Sequence, residues 1–349
     1  MAARPPADLR PVRFRVLPAL VLAVAIFTVG AAPASATFPG PNGRIAFSAD
    51  VEKTKSREIF TATSKGGDVR RLTRFPNTLS ELPDWSADGQ RIAFFSGLQV
   101  ENQPVQIQVM NADGSDVTEL TRGPGFHGFP AWSPDAASLA IAADWGDFPT
   151  LRGLWIIPSS APGGVTKQEA RRLTALPAGS QVVDEEPQFS PDGSSIVFTR
   201  FKTPRKSAIH RVGIDGSGLR RLTPWRLNAS DPDWSPDGQR VAFDSGDFNG
   251  QTDGGGDIYV MRGDGSGRKR LTDFPLLRQK CCPPGFPGLA NNPVWSPSGT
   301  RIMFTHFLPP PKGNKLVAMK PDGSRQQVVI GGRFGRRHIP NKVDWGAHP

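Results

Sequence analysis

Apolar residues in this chain fall in short alternating runs separated by proline, aspartate and glycine, and one such run returns six times. Pro83-Asp-Trp-Ser-Ala-Asp-Gly-Gln-Arg-Ile-Ala-Phe94 recurs as Pro130-Ala-Trp-Ser-Pro-Asp, Pro187-Gln-Phe-Ser-Pro-Asp-Gly, Pro232-Asp-Trp-Ser-Pro-Asp-Gly-Gln-Arg-Val-Ala-Phe243 and Pro293-Val-Trp-Ser-Pro-Ser-Gly-Thr-Arg-Ile-Met-Phe304. The sixth copy is divided between Pro41-Asn-Gly-Arg-Ile-Ala-Phe47 and Val343-Asp-Trp345. Two halves at opposite ends complete one repeat only if they pair as neighbouring strands, which predicts a closed ring.

Each copy reads as a four-stranded unit. Asp-Trp-Ser is a short first strand. Ser-Pro-Asp-Gly is a turn in which proline presets φ and glycine tolerates a positive one. The next run, Arg240-Val-Ala-Phe-Asp244 in one copy, alternates polar and apolar residues as a half-buried strand does. A third strand appears as Ile107-Gln-Val-Met110, Asp257-Ile-Tyr-Val-Met261 and Leu316-Val-Ala-Met319. Asp-Gly-Ser turns, a hairpin signal, lead from it into Arg-Arg-Leu-Thr or a close variant as the fourth strand. The markers Trp85, Trp132, Phe189, Trp234, Trp295 and Trp345 span 260 residues, a mean repeat of 52, near the length of a propeller blade. Such a sheet has two apolar faces, and packing six around an axis hides both. The expected fold is therefore all-β: a six-bladed β-propeller over residues 37–349, its blades four-stranded and antiparallel, closed by N- and C-terminal strands that share one blade. The recurrent Trp, Ile, Val and Phe residues become core between blades.

Trp-Ser-Pro-Asp-Gly-x-x-Ile-Ala-Phe followed by Ile-Tyr-Val-Met and Asp-Gly-Ser resembles the WD40-like (PD40) β-propeller repeats of the TolB family, over essentially all of residues 37–349. The resemblance implies a protein-binding scaffold of the bacterial envelope. Members of that family place an α/β domain before the propeller, whereas here only a few residues separate position 36 from the first predicted strand at Arg44. Similar propellers accompany prolyl oligopeptidase-type peptidases, but no Gly-x-Ser-x-Gly nucleophile motif occurs here.

Residues 1–36 change the picture of location. Arg4, Arg10, Arg13 and Arg15 precede an apolar run from Val16 to Gly30, and Ala34-Ser-Ala36 supplies a small-residue cleavage pattern, so this segment reads as a secretory signal peptide. An exported protein is expected, periplasmic, cell-wall-associated or extracellular, with no stable membrane span after cleavage. Losing four Arg and one Asp lowers the formal charge from +10 to +7. Much of the remainder lies in Arg70-Arg71, Arg171-Arg172, Arg220-Arg221 and Lys269-Arg270, one pair per outer strand, where basic side chains discourage edge-to-edge pairing. Dispersed charge of this kind predicts a monomer and no nucleic-acid partner. Cys281 and Cys282 are adjacent, which strains a disulfide between them and leaves no zinc-type spacing.

Candidate chemistry gathers just before each first strand, where propeller ligands meet the channel mouth. Counting back from the markers gives Glu81, His127, Glu186, Asp231, Asn292 and Asn341 as a candidate ligand-binding set. Carboxylates and imidazole suit a divalent cation or a basic peptide group. The identity of any metal stays open, and no cofactor is otherwise expected. None of the five histidines shows a His-Glu-x-x-His spacing, and Asp247-Phe-Asn249-Gly-Gln251-Thr-Asp253 lacks the glycine and glutamate of a calcium loop. The expected function is an exported, non-enzymatic propeller binding a protein or envelope component. The alternative is a metal-assisted hydrolase or lyase acting on an extracellular polymer or lactone at the channel mouth.

Overall fold

The computed structural model describes residues 40–51, 54–98, 103–146, 152–176, 182–203, 206–246, 256–274, 289–308, 313–331 and 340–347. The expected signal peptide, the 247–253 loop, Cys281 and Cys282 fall outside the described residues. The described residues form strands and turns, with 3-10 geometry confined to short segments such as Trp225–Leu227. Among them no helix is long and apolar enough to cross a membrane.

The strands run in sequence as repeating groups. The first group is β1 (Asn42–Val51), β2 (Ser56–Thr63) and β3 (Arg70–Arg71); the second is β4 (Thr78–Trp85), β5 (Arg91–Leu98), β6 (Gln106–Asn111) and β7 (Thr118–Glu119). The third is β8 (His127–Trp132), β9 (Ser138–Ala143), β10 (Gly153–Pro158) and β11 (Arg171–Arg172), and the fourth β12 (Val183–Phe189), β13 (Ser195–Thr203), β14 (Lys206–Gly213) and β15 (Arg220–Arg221). The fifth is β16 (Ala229–Trp234), β17 (Arg240–Ser245), β18 (Asp257–Arg262) and β19 (Lys269–Arg270). The sixth is β20 (Leu289–Trp295), β21 (Ile302–Phe307), β22 (Lys315–Met319) and β23 (Gln327–Ile330); β24 (Pro340–Ala347) follows and pairs back onto β1, with Ile45 opposite Trp345 and Phe47 opposite Val343. Groups three to six are separate four-stranded antiparallel sheets. Groups one and two, β24 included, count as one eight-stranded sheet because a single parallel pair, Arg57 with Leu79, joins β2 to β4.

The turn signals act as read. In the Ser-Pro-Asp turns the serine hydroxyl donates to the aspartate, as Ser133 does to Asp135 at 2.6 Å and Ser190 to Asp192 at 2.5 Å, and accepts the N–H five residues on. In Asp-Gly-Ser the aspartate accepts the serine N–H, as Asp264 does from Ser266 at 2.8 Å. The Arg-Leu-Thr segment carries a second role. Its threonine hydroxyl, and that of Glu119-Leu120-Thr121 in the second group, accepts a third-strand N–H, from Ile59 to Thr73, Ile107 to Thr121, Ile209 to Thr223 and Ile258 to Thr272, at 2.9 Å in each case. A two-residue edge strand is thereby extended by a side chain.

Alternation sends the two faces of each second strand into different cores. Ile92 and Phe94 join a core with Ala46, Ile59, Leu72 and Trp85, whereas Ala93 between them joins Trp132, Leu139 and Ile141. Likewise Val241 and Phe243 face Val197 and Ile209, and Ala242 shares a core with Trp295 and Phe304. The Ile-Ala-Phe phrase is thus large, small, large so that the small side receives the next group's tryptophan. Each described core straddles two consecutive groups, the sixth and first included through Met303, Phe47 and Trp345. Burial of large side chains between sheets is the main stabilising term, roughly 1.5–3 kcal/mol for each.

Polar latches cross the same interfaces. The aspartate of Asp-Trp accepts the backbone N–H of the next group's tryptophan: Asp344 from Trp85 at 2.7 Å, Asp84 from Trp132 at 2.7 Å and Asp233 from Trp295 at 2.6 Å. Ala131, Gln188 and Val294 occupy that place elsewhere and supply no such carboxylate. The turn glycines approach the preceding group's backbone. A β-carbon on Gly265 would lie 2.8 Å from the Leu222 carbonyl oxygen and one on Gly323 2.5 Å from that of Leu271, besides the left-handed φ each adopts.

Candidate functional site

The residues before each first strand are set by a recurrent bulge. Strand register breaks between Glu81 and Asp84, Gly128 and Ala131, Glu185 and Gln188, Ser230 and Asp233, and Asn291 and Val294. Within each break the residue preceding proline is left-handed: Leu82 (φ 53°), Phe129 (53°), Glu186 (56°), Asp231 (47°) and Asn292 (52°). Proline closes the right-handed helical region to its predecessor. The extra residue of a bulge therefore turns left-handed, at a cost of order 1 kcal/mol for a residue with a β-carbon. The bulge also re-aims backbone donors. Asp231 N–H donates to Glu186 Oε2 at 2.8 Å and Asn292 N–H to Asp244 Oδ2 at 3.2 Å, each across two groups.

These bulges line a narrow cavity of about 30 Å³. Its walls include Leu82, Phe129, Glu186, Asp231, Asn292, Val343 and Asp344, at least one residue from every group. One side is apolar and the other acidic. Thr199 Oγ1 donates to Glu186 Oε2 at 2.6 Å, and Ser230 Oγ to Asp244 Oδ1 at 2.5 Å. Asp244 is buried, and burial, then the negative charge of Asp231 and a hydrogen bond to its side chain, hold the Asp244 carboxyl well above the usual carboxylate range. Burial thus favours the protonated form of the Asp244 carboxyl beside the cavity.

The structure brings Glu186, Asp231 and Asn292 to this wall. Glu81 and His127 lie outside this wall. Counting back from Trp85 selects Glu81, but Leu82 lines the cavity in its place, and the Glu81 carboxylate ion-pairs with Arg57. Asp50 binds the same guanidinium at 2.7 Å. His127 is fully buried with Nδ1 2.7 Å from Gln106 Oε1 and its ring 4.2 Å from that of Trp145. Burial lowers its pKa to about 4, so the imidazole is neutral at neutral pH. Asn341 lies in β24, and its side chain is outside the described residues. Asp244 was missed. Its signal was available: one place after the recurrent Phe stand Ser48, Phe95, Ala142, Thr199 and Thr305, and only here a carboxylate.

Chemically, the cavity accommodates one or two water molecules, and a sugar ring or peptide side chain exceeds it. Among the described residues no group of three or more His, Cys, Asp or Glu side chains is placed to hold a metal ion. Catalytic zinc sites draw on three protein ligands.

No protein-family model matches the chain. It is 39% identical over 74 residues to the Tol-Pal system protein TolB of Syntrophus aciditrophicus, a stretch covering 20% of this chain and 15% of that protein. Among solved structures, TolB from Acinetobacter baumannii superposes with a TM-score of 0.66 at 17% identity, covering 88% of this chain and 67% of that one. A TolB-type protein from Agrobacterium tumefaciens superposes with a TM-score of 0.57 at 21% identity, covering 88% and 99%.

Proposed function

With a TolB-like β-propeller fold as premise, we propose that this chain is an exported, monomeric six-bladed propeller, and that it binds a protein or other component of the cell envelope through one of its two faces. Ring closure is supported by the β1–β24 pairing, by the Asp344 latch to Trp85, and by the close approach of Gly66 in the first group to Val329 in the sixth.

The observation that carries the binding reading is the difference between the two ends of the strands. In an antiparallel meander the first-to-second and third-to-fourth connections lie at one end. Here they are mostly short turns closed by Asp or Ser side chains. The other two connections share the opposite end and vary in length, from Thr203–Lys206 to Ser245–Asp257 and Arg270–Leu289. Variable connections on a rigid scaffold are where recognition residues accumulate. The water-sized cavity favours contact on that face over chemistry within the channel.

Purified protein immobilised through a turn-face cysteine at Ser324 should capture a partner from its own envelope fraction. Attachment through the opposite face, at Leu98, should block capture. Equal capture in both orientations, or none in either, would overturn the reading.

A further inference from the structure

The fourth group lacks an internal ion pair that the first and fifth groups hold. In the first group the second arginine of the outer strand, Arg71, pairs at 2.8 Å with buried Glu58 at the start of the third strand. In the fifth, Arg270 pairs at 2.5 Å with Asp257 in the same place. The fourth group has Ala208 there, so Arg221 has no ion-pair partner among the described residues and lies 5.4 Å from the ring centre of Trp225.

Other cations collect around it. Lys202 Nζ is 4.5 Å from the centre of the Trp225 ring, and Lys206 and Arg226 are exposed nearby in sequence and strand pairing. None of Lys202, Lys206, Arg221 and Arg226 has an ion-pair partner among the described residues. The nearby Asp184 is already held in a two-point bond by Arg200, at 2.6 and 2.7 Å. His210, whose ring centre is 5.5 Å from that of Trp225, is held neutral by burial, with Arg200 and Arg221 adding to the effect.

The aromatic ring at the centre is partly exposed and firmly seated. Trp225 opens a 3-10 turn whose Leu227 packs into the core with Trp234 and whose Leu227 carbonyl accepts from Ser245. All these residues lie at the variable-connection end. An indole face accepts the C–H face of a sugar ring, and guanidinium and ammonium groups beside it match the ring's acid substituents.

We propose that Lys202, Lys206, Arg221 and Arg226 around Trp225 form a binding site for an anionic polysaccharide of the cell envelope. This names the chemistry of one envelope component and rests on the reading that the variable-connection face is the binding face. A flat lipid surface would engage the exposed cations and leave the half-buried indole with little role. A nucleic acid would engage the cations with little need of a single aromatic.

The test uses the purified protein with alginate, a polymer of uronic acids, against neutral dextran, polyglutamate and double-stranded DNA, by titration calorimetry at low and moderate salt. Alginate should bind, more weakly as salt rises, while dextran does not. Trp225→Ala and the pair Lys202→Gln/Arg221→Gln should each weaken binding about tenfold. Arg226→Glu, at an exposed position, should do likewise with unchanged thermal melting, which guards against a folding defect in the other variants. Absence of alginate binding overturns the proposal, as does binding the variants leave unchanged. DNA or polyglutamate bound equally well, and insensitive to Trp225→Ala, overturns it in favour of charge alone. Failure here with orientation-dependent capture of an envelope protein intact would leave the scaffold reading standing.

Discussion

Three buried ionisable residues set how stability responds to pH, and they pull in opposite directions. Burial lowers the pKa of both His127 and His210 to about 4, against about 6.5 in an unfolded chain. The unfolded state then binds protons more readily, so their contribution is complete above pH 6.5 and is lost as the pH falls towards 4, by a few kcal/mol in all. The urea midpoint should drop between pH 7.5 and 4.5, and His127→Asn with His210→Asn should flatten that drop. An unchanged slope in the double variant would reject the assignment. Asp244 has the other sign. Its folded pKa is raised, so its contribution is present below the ordinary aspartate value and is lost as pH rises through the raised one. Asp244→Asn, neutral throughout, should cost less than about 1 kcal/mol at pH 7 and should abolish that decline. A loss of several kcal/mol at pH 7 would show that Asp244 is ionised in the native protein.

Within the strands, the repeated phrase predicts its own tolerances. Ala242 is the small member of Val-Ala-Phe and shares a core with Trp295 of the following group, so Ala242→Leu should overpack it by about 1–3 kcal/mol. Val241→Ile, on the other face, should cost less, and the two can be compared by urea unfolding. Asp233→Ala leaves the buried Trp295 N–H without its acceptor and should cost about 1–3 kcal/mol, partly restored by Asp233→Asn. Much of this was legible. Trp-Ser-Pro-Asp-Gly named the turn and core marker because both depend on residues a few places apart. The lining of the cavity was legible only to within one residue. Counting back from Trp85 selects Glu81, and the bulge at Leu82-Pro83 shifts the strand by one, which only the partner β5 reveals. The latch from Asp84 to Trp132 was likewise hidden, since its partner is 48 residues away. Arg-Arg-Leu-Thr read as a charged edge; the threonine's bond to the third strand depends on that strand's position and carries no local signal.

At the scale of the molecule, a ring and an open array of sheets differ in what the last strand does. In an open array each unit touches only its neighbours, and loss of a terminal strand frays one end while the middle melts as before. In a ring the same strand completes a core shared by the first and last units, so its loss is felt throughout. β24 supplies Val343 and Trp345 to the core containing Ile45, Phe47 and Met303, and Asp344 to the Trp85 N–H. Trp345→Ala alone should cost about 3–5 kcal/mol, a large share of the roughly 5–15 kcal/mol that stabilises a typical domain. Truncation before Pro340 should therefore abolish the single cooperative thermal transition, and a peptide spanning residues 340–349 added in trans should restore part of it. A truncated chain that keeps a sharp transition within a degree or two of the intact protein would show that the units stand without closure. The pairing of Ile45 with Trp345 would then be a local hairpin-like contact and not the clasp of a ring.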